Sequence, residues 1–576
     1  DLDAQTDGLI INSDNFQALN LIDNKYKQQL NFIYIDPPYN TVHSKILYKN
    51  NFEHSSWLTL LNQSIQSSLS LLNPNLFSFG MAIDDYEVKN ALSLTSELFP
   101  YSEISPIVIN HHPQGSGGRL SRTHEYFIHA SPSTAPALLG KPKDDAEEDR
   151  SFMRSGTGEN NFRLGRWKSF YALLVNSENK IVGTEPPPEL GASYPLNNTV
   201  EGYRRIYPIN SQGEERVWRS SYLTGKARVE NNEIFLTERG SVKQKIFHED
   251  KREVLFSNWT GTEFNAGTQG TNVLDQLGLS GKFDYPKSVK TLELTFWMQS
   301  FGKTNYTMID YFGGSGTSAH AVINNNRQDL ENRTRKYILV EQGEYLDTVI
   351  KPRIQKVVYS ADWKEGKPTK PESGISHCLK VVKLESYEDT LNNLELVRKG
   401  AQQNLLAEQK TSTKPEDQQA YNDYLMHYML ELESKDSLLN VKHFQKPFSY
   451  QMNITTDSAG AFERKTIDLV ETFNYLIGLN VQIVDYQLER GYVTVEGLLR
   501  TGEKTLILWR DCEKIGYQEL DDLLQKRLKV NPKDKEYKLI YINGDHNIPS
   551  PFIKIDGEEK QLKVRSIEQT FLKNMF

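Results

Sequence analysis

The feature that most limits what this chain can fold into is a rhythm of short apolar runs and helix-length segments. It fills residues 1–135, breaks off, and resumes near 265. GLIINSDN reads as a strand with its turn, FQALNLIDNKYKQQ as a helix and NFIYI as a strand. SSWLTLLNQSIQSSLSLLN then reads as a helix, LFSFGMAI as a strand and DDYEVKNALSLTSELF as a helix. Strands separated by helices of this length call for a parallel sheet with crossover helices. After the break TMIDYF, SGTSAHAVINNNR and RKYILVE restore strand, helix and strand. The expectation is one α/β domain split into halves, 1–135 and 266–360, by an insert at 136–265. A helical linker at 361–450 and a smaller C-terminal α/β domain at 451–576 follow. At 576 residues the chain exceeds what one core can organise.

The strand NFIYI delivers Asp36-Pro37-Pro38-Tyr39 at its carboxyl end. Proline cannot donate to a sheet ladder, so the strand stops there. Ligands of open parallel sheets bind beyond the carboxyl ends of strands. Two prolines stiffen the turn, and they set the Asp36 carboxylate and the Pro37 carbonyl as rigid acceptors beside the Tyr39 face. Such a pair suits a planar ring carrying an exocyclic NH2, whose two hydrogens the acceptors take. Holding both hydrogens favours a pyramidal nitrogen and stabilises the positive charge that develops when it attacks. A second element, MIDYFGGSGTSAHA, runs a strand into glycines at the start of a helix, where backbone can approach a ligand closely. The next strand ends in Glu341, an acid placed to meet ribose hydroxyls. No GK[ST] follows the glycines, so an adenosyl ligand without a triphosphate is the expectation.

Together these residues resemble the amino-methyltransferases that use S-adenosylmethionine, and most closely the modification subunits of type III restriction–modification systems, N6-adenine DNA methyltransferases. The resemblance covers most of residues 8–360. Asp36-Pro37-Pro38-Tyr39 matches the catalytic tetrad, with Asn40 following it as a substrate contact. Phe312-Gly313-Gly314-Ser315-Gly316-Thr317 matches the cofactor loop, with Asp310 before it, although Gly313 stands where alanine is common and Tyr311 where proline is usual. NSDNFQAL matches the segment whose acid holds the cofactor, here Asp14, with Asn12-Ser13 in place of the usual glycine. FDYPKSV, with Lys287, matches a segment closing the methionine end of the cofactor pocket, and AIDDYEV places Asp84 and Asp85 in the same cleft. The tetrad precedes the loop, so the resemblance implies a Rossmann-like S-adenosylmethionine-dependent methyltransferase domain with permuted motif order and target recognition inserted between its halves. It implies transfer to a flipped-out adenine with no metal, on double-stranded DNA. It also implies a homodimer and a partner restriction subunit, contacted through the C-terminal region, which shows no chemistry of its own.

The charge distribution fits such a partner. Net charge is −8, yet residues 151–260 hold 16 Lys+Arg against 13 Asp+Glu, leaving 51 against 62 elsewhere. A mildly basic middle in an acidic chain suits local phosphate contact. Arg163, Arg166, Lys168, Arg204, Arg205, Arg216 and Arg219 are the candidate DNA contacts there, interleaved with Trp167, Tyr171, Tyr203 and Trp218. His124, in THEYFIHA, is read as a structural hydrogen-bonder. Two distant cysteines, Cys378 and Cys512, suggest neither a disulfide framework nor a zinc site, and no apolar run reaches membrane-spanning length. A cytoplasmic protein is expected. The alternatives are a solitary regulatory methyltransferase, a DNA-binding module without catalysis, an RNA or protein-amide methyltransferase, and cytosine N4 as the acceptor.

Overall fold

The computed structural model describes residues 1–40, 54–115, 120–135, 138, 140–141, 149–245, 254–300, 306–329, 335–393, 441–456, 461–555 and 559–575. The chain divides into two compact units, Asp1–Ala137 with Phe256–Phe576, and Leu138–Leu255.

The first unit is built on a nine-stranded sheet. Its strands are β1 (Gly8–Asn12), β2 (Phe32–Ile35), β3 (Ser78–Ile83), β4 (Ser102–Ile109), β5 (Glu125–Pro132), β6 (Asn258–Trp259), β7 (Tyr306–Asp310), β8 (Arg335–Val340) and β9 (Leu379–Lys383). They lie in the order β6-β4-β5-β3-β2-β7-β8-β1-β9. All neighbours are parallel except at β5, which runs antiparallel to both β3 and β4. Residues 379–383, expected within a linker, instead extend the sheet, because Leu379–Lys383 pair in register with Gly8–Asn12. Of the helical linker expected at 361–450, residues 394–440 lie outside the described residues.

Both faces of the sheet are covered, which is why β2 reads as a continuous apolar run. Ile33 and Ile35 face a core shared with Ala18, Leu19 and Ile22 of helix α1 (Asn15–Tyr26) and Trp57, Leu61 and Ile65 of helix α2 (His54–Leu69). Phe32 and Tyr34 face the other way, where Phe296 meets them edge-on at 5.7 and 5.5 Å between ring centroids. Alternation along four residues thus feeds two cores.

The topology fixes where a ligand can sit. From β2 the chain goes on to β3 on one side, and from β7 it goes on to β8 on the other. The carboxyl ends of β2 and β7 therefore open a crevice at a switch point of an open α/β sheet. Registered pairing of Asp310 with Tyr34 brings the two strand ends level.

The C-terminal residues form a separate five-stranded sheet, with Tyr492–Leu498 and Lys504–Arg510 at its centre, over a core containing Phe473, Trp509 and Tyr541. It belongs to the same compact unit as the large sheet. Asn24 donates to the Leu476 carbonyl at 2.8 Å, and the Lys25 ammonium lies 4.6 Å from the Tyr475 ring centre. The second unit holds two three-stranded sheets and a helix, Tyr222–Glu230, around Phe152, Tyr171, Leu173 and Trp218.

Candidate functional site

Four elements of the sequence meet at one edge of the large sheet. Asp36 follows β2, Asp310 ends β7, Glu341 follows β8, and Asn12 ends β1. Because β5 is antiparallel, its first residue, Glu125, stands at this same edge, paired with Ile109.

The prolines after β2 hold the turn as expected, and one of their carbonyls is already taken. Trp57 Nε1 donates to the Pro38 oxygen at 2.9 Å, anchoring the turn to helix α2. Asp36 is three-quarters buried. Its carboxylate Oδ1 lies 3.2 Å from Lys287 Nζ. The same ammonium reaches Glu125 Oε2 at 2.6 Å and also donates to the Tyr39 hydroxyl. Tyr39 in turn donates to Glu125 Oε2 at 2.8 Å. Burial pushes the Asp36 carboxyl up, Lys287 pulls it down, and Glu125 pushes it up again, for a net rise. Glu125 is buried too, but the nearby Lys287 and His111 outweigh burial and hold its carboxyl below the ordinary range. Lys287 is held protonated, its burial outweighed by the two carboxylates.

Lys287, assigned to the cofactor pocket by resemblance, therefore stands with Asp36 and Tyr39. Glu125 escaped sequence reasoning, which looked instead to its neighbour. His124 is a structural hydrogen-bonder, with Nε2 3.2 Å from the Tyr126 hydroxyl and 3.4 Å from Asp85 Oδ1. Asn40 does not face outward as a substrate contact would. It is buried in a left-handed conformation (φ 58°), and its amide donates to Glu87 Oε1 at 2.8 Å.

On the neighbouring strand the glycine loop is shaped by what lies beneath it. Gly314 and Gly316 adopt φ of 53° and 77°, and a Cβ on Gly313 would come 3.2 Å from the Val340 carbonyl oxygen. Side chains are thus excluded where the backbone turns. Glu341 accepts from Gly314 N and Gly343 N, both at 2.8 Å, so its carboxylate holds the loop itself. Asp310 accepts from Phe312 N at 3.0 Å and from the Ser318 hydroxyl. Burial pushes its carboxyl up to about 7. Asp14 caps helix α1, accepting from Gln17 N at 2.9 Å.

Ser315 and Thr317 turn inward and do not line the open side of the loop. Both hydroxyls accept from Arg353 Nη1, at 2.8 and 2.9 Å, and the Ser315 carbonyl accepts from the same nitrogen at 3.2 Å. Arg353, on helix α3 (Lys351–Tyr359), is fully buried, and no motif signals it. Beside the loop, Phe283 packs edge-on against Tyr345 at 5.0 Å, and its ring would lie 3.5 Å from a Cβ on Gly314. The edge therefore presents bare backbone, an aromatic ring and mostly acidic side chains.

Within the second unit, several candidate DNA contacts are engaged by bonds inside the fold. Arg163 is 6% exposed, bound to Glu215 Oε1 at 3.1 Å and to the carbonyls of Glu189 and Ala192 at 2.9 Å. Arg205 makes a two-pronged bond to Glu185 at 2.6 and 2.7 Å. Arg216 joins Glu214 at 2.6 Å and the Gly156 carbonyl at 2.7 Å, and Arg219 donates to the Ser151 carbonyl at 2.7 Å. Tyr171 and Trp218 are core residues. Lys168 and Arg204 are exposed, while Arg166, Trp167 and Tyr203 are half-buried. Among the described residues no helix is long and apolar enough to cross a membrane, and no cluster of three or more metal-ligating side chains occurs.

A family model described as DNA methylase, of the N6/N4 type, matches residues 30–351. The Type II methyltransferase M.KpnI of Klebsiella pneumoniae is 28% identical over 364 residues, covering 59% of this chain and 82% of its own. The EcoPI Mod subunit, a type III restriction–modification protein of Escherichia phage P1, is 26% identical over 394 residues. That match covers 59% of this chain and 58% of the relative, so the chain spans little more than half of the type III protein. Among solved structures, the M1.HpyAVI–SAM complex aligns over 60% of this chain and 98% of its own, at 12% identity and a TM-score of 0.29.

Proposed function

The chain belongs to the DNA methylase family, and from that premise we propose that it moves a methyl group from S-adenosylmethionine to N6 of an adenine turned out of duplex DNA. We further propose that it is the modification subunit of a type III restriction–modification or related phage-defence system. The observation that carries the reading is the adjacency of Asp36–Tyr39 and Phe312–Thr317 at the ends of two neighbouring parallel strands, β2 and β7. One binds an amine and the other leaves backbone bare for a cofactor, at the crevice where such sheets take ligands.

The residues fit that cofactor. Gly314 and Gly316 hold positive φ and Gly313 is crowded by the Val340 carbonyl, Phe283 offers a ring beside the loop, and Asp14 supplies an acid for a hydroxyl while the buried Glu341 shapes the loop. The preponderance of carboxylates suits a cationic ligand without phosphates. When bound, S-adenosylmethionine supplies a methyl group made electrophilic by its sulfonium.

The chain's own residues do the rest. Asp36 accepts a hydrogen of the target amine, and its negative charge stabilises the positive charge arriving on nitrogen as the N–C bond forms. Tyr39 stacks on the base, helping to offset the few kcal/mol of pairing and stacking lost on flipping. Holding both partners in one crevice supplies orientation, the larger share of the rate gain. The new N–H+ then loses its extra proton through Asp36 to solvent. The unit at 138–255 reads the target, with Lys168 and Arg204 among its exposed cations, and the C-terminal sheet serves a homodimer or a restriction subunit.

The experiment is transfer of labelled methyl from S-adenosylmethionine to unmethylated bacterial DNA, with product nucleosides identified, for wild type and Asp36→Ala. N6-methyladenine that vanishes in the variant is the expected result. N4-methylcytosine would overturn the choice of base. Absence of both transfer and cofactor binding would overturn the enzyme reading.

A further inference from the structure

We propose that Glu125 and Lys287 are positioning residues of the Asp36 site: Glu125 draws the Lys287 ammonium aside so that Asp36 keeps an uncommitted charge for the target amine, and both anchor the Tyr39 ring by its hydroxyl. The proposal rests on the reading of Asp36–Tyr39 as the amine site.

Distances set the division of labour. Lys287 Nζ is 2.6 Å from Glu125 Oε2 and 3.2 Å from Asp36 Oδ1, so its strong charge-assisted bond goes to Glu125. Two carboxylates against one ammonium leave the cluster one charge negative. That surplus is what a developing cation on nitrogen needs. Were Lys287 paired with Asp36 alone, it would neutralise the carboxylate and compete with the amine hydrogens for the same oxygen. Were Lys287 missing, two buried carboxylates would face each other, and one would take up a proton. The Tyr39 hydroxyl, bonded to Glu125 at 2.8 Å, fixes the far end of the ring on which the base is read to stack.

Other titratable groups face this cluster from each element around it. Tyr34 on β2 is pushed up by burial and then by Asp36. Asp310 on β7 is pushed up to about 7 by burial, with Asp36 adding to the rise. His111, beyond β4, is pushed down by burial despite Glu125. None of these is itself substituted below, but His111 is coupled to both partners, Glu125 pushing it up and Lys287 pushing it down, so Glu125→Gln lowers it and Lys287→Met raises it, in the same directions as Asp36.

The two neutral substitutions act with opposite sign. Glu125→Gln removes a like charge, which moves the ionisation of Asp36, and with it the acid limb of the rate, to lower pH. Its plateau falls at least about tenfold, because Lys287 settles on Asp36 and the Tyr39 hydroxyl is left with a weaker neutral acceptor. Lys287→Met removes the cation and moves the acid limb to higher pH. Lys287→Arg keeps the charge and leaves the limb near wild type, at a reduced plateau. A merely structural role would lower all three plateaus and leave the limbs in place.

The test is single-turnover methyl transfer against pH for the full chain and these variants, each first checked by thermal melting. Alongside it runs competitive acylation of Lys287 by acetic anhydride, read by mass spectrometry. Opposed limb shifts, with Lys287 more readily acylated in Glu125→Gln and Asp36→Asn than in wild type, are the expected result. Limbs that stay fixed or move together overturn the proposal, as does unchanged acylation in folded variants. If wild type transfers no methyl but acylation rises in both variants, the charge network stands and the methyl-transfer reading falls.

Discussion

Replacing Arg353 by methionine should leave the protein folded and weaken its hold on cofactor, because two large terms cancel in stability and not in binding. Burial pushes the guanidinium down to about 9. At about 1.4 kcal/mol per pH unit, a fall from the ordinary arginine value near 12.5 means that keeping it charged costs about 5 kcal/mol. Against this, beside two long contacts of 3.4 Å to His320 Nδ1 that add little, stand its bonds to the Ser315 carbonyl, the Ser315 hydroxyl and the Thr317 hydroxyl, at 3.2, 2.8 and 2.9 Å. Hydrogen bonds to a charged group contribute about 1.5–3 kcal/mol each, or about 5–9 kcal/mol together. Methionine of similar length removes both terms. The two hydroxyls still have each other at 3.0 Å, which limits what is lost to the lower end of that range. The net change in stability should stay within about 2 kcal/mol, a few degrees in Tm for a unit this large.

Binding does not share in the cancellation. Without Arg353 the inward anchors of Ser315 and Thr317 are gone, and the loop must be ordered by the cofactor itself. Fixing one or two residues of backbone costs about 2 kcal/mol after allowing for the constraint left by Glu341, or about thirtyfold in Kd. Isothermal titration with S-adenosylmethionine reads the loss, and thermal melting reads the stability. Affinity within threefold of wild type in a folded variant would refute the bracing role. An unfolded variant would refute the balance of burial against hydrogen bonding.

Asp310→Asn tests a pH dependence whose sign is set by burial. The folded carboxyl lies near 7, above its unfolded value, so its contribution is fully present below about pH 4 and lost as pH rises through 7. The loss reaches about 4 kcal/mol, and the amide should abolish it, so the variant melts higher than wild type at pH 8 and not at pH 4; parallel melting curves at both would count against this. In the second unit, Arg163→Ala strands the Glu189 and Ala192 carbonyls and should destabilise by about 3 kcal/mol, whereas Arg204→Ala should leave stability alone and lower the salt dependence of DNA binding by about one ion. Reversed outcomes, read by melting and by filter binding across salt, would exchange their roles. Gly313→Ala presses a Cβ to 3.2 Å from the Val340 oxygen, so stability should fall by about 1 kcal/mol while cofactor affinity stays near wild type, and an unchanged Tm would show that the loop gives way freely.

How far the site could be read in the sequence depended on whether the chemistry was local. Asp36–Tyr39 was legible because two prolines end a strand by a rule that needs no tertiary context. The glycine loop was legible because the residues that turn it sit together, with the acid Glu341 at the end of the next strand. Glu125 was hidden by direction: an acid that opens a strand lies far from the carboxyl-end crevice in a parallel sheet, and near it only because β5 runs antiparallel. Arg353 was hidden by distance, its partners lying 36 and 38 positions away with no periodicity to link them. The insert failed in the opposite sense. Its arginines look like a basic surface in one dimension, yet Arg163, Arg205 and Arg216 each meet a glutamate 2 to 52 positions away. Composition counts charges but cannot say which ones the fold has already paired. The same limit hid the Asp36 cluster, where two acids and one lysine from three separate segments set the charge that an incoming amine would meet.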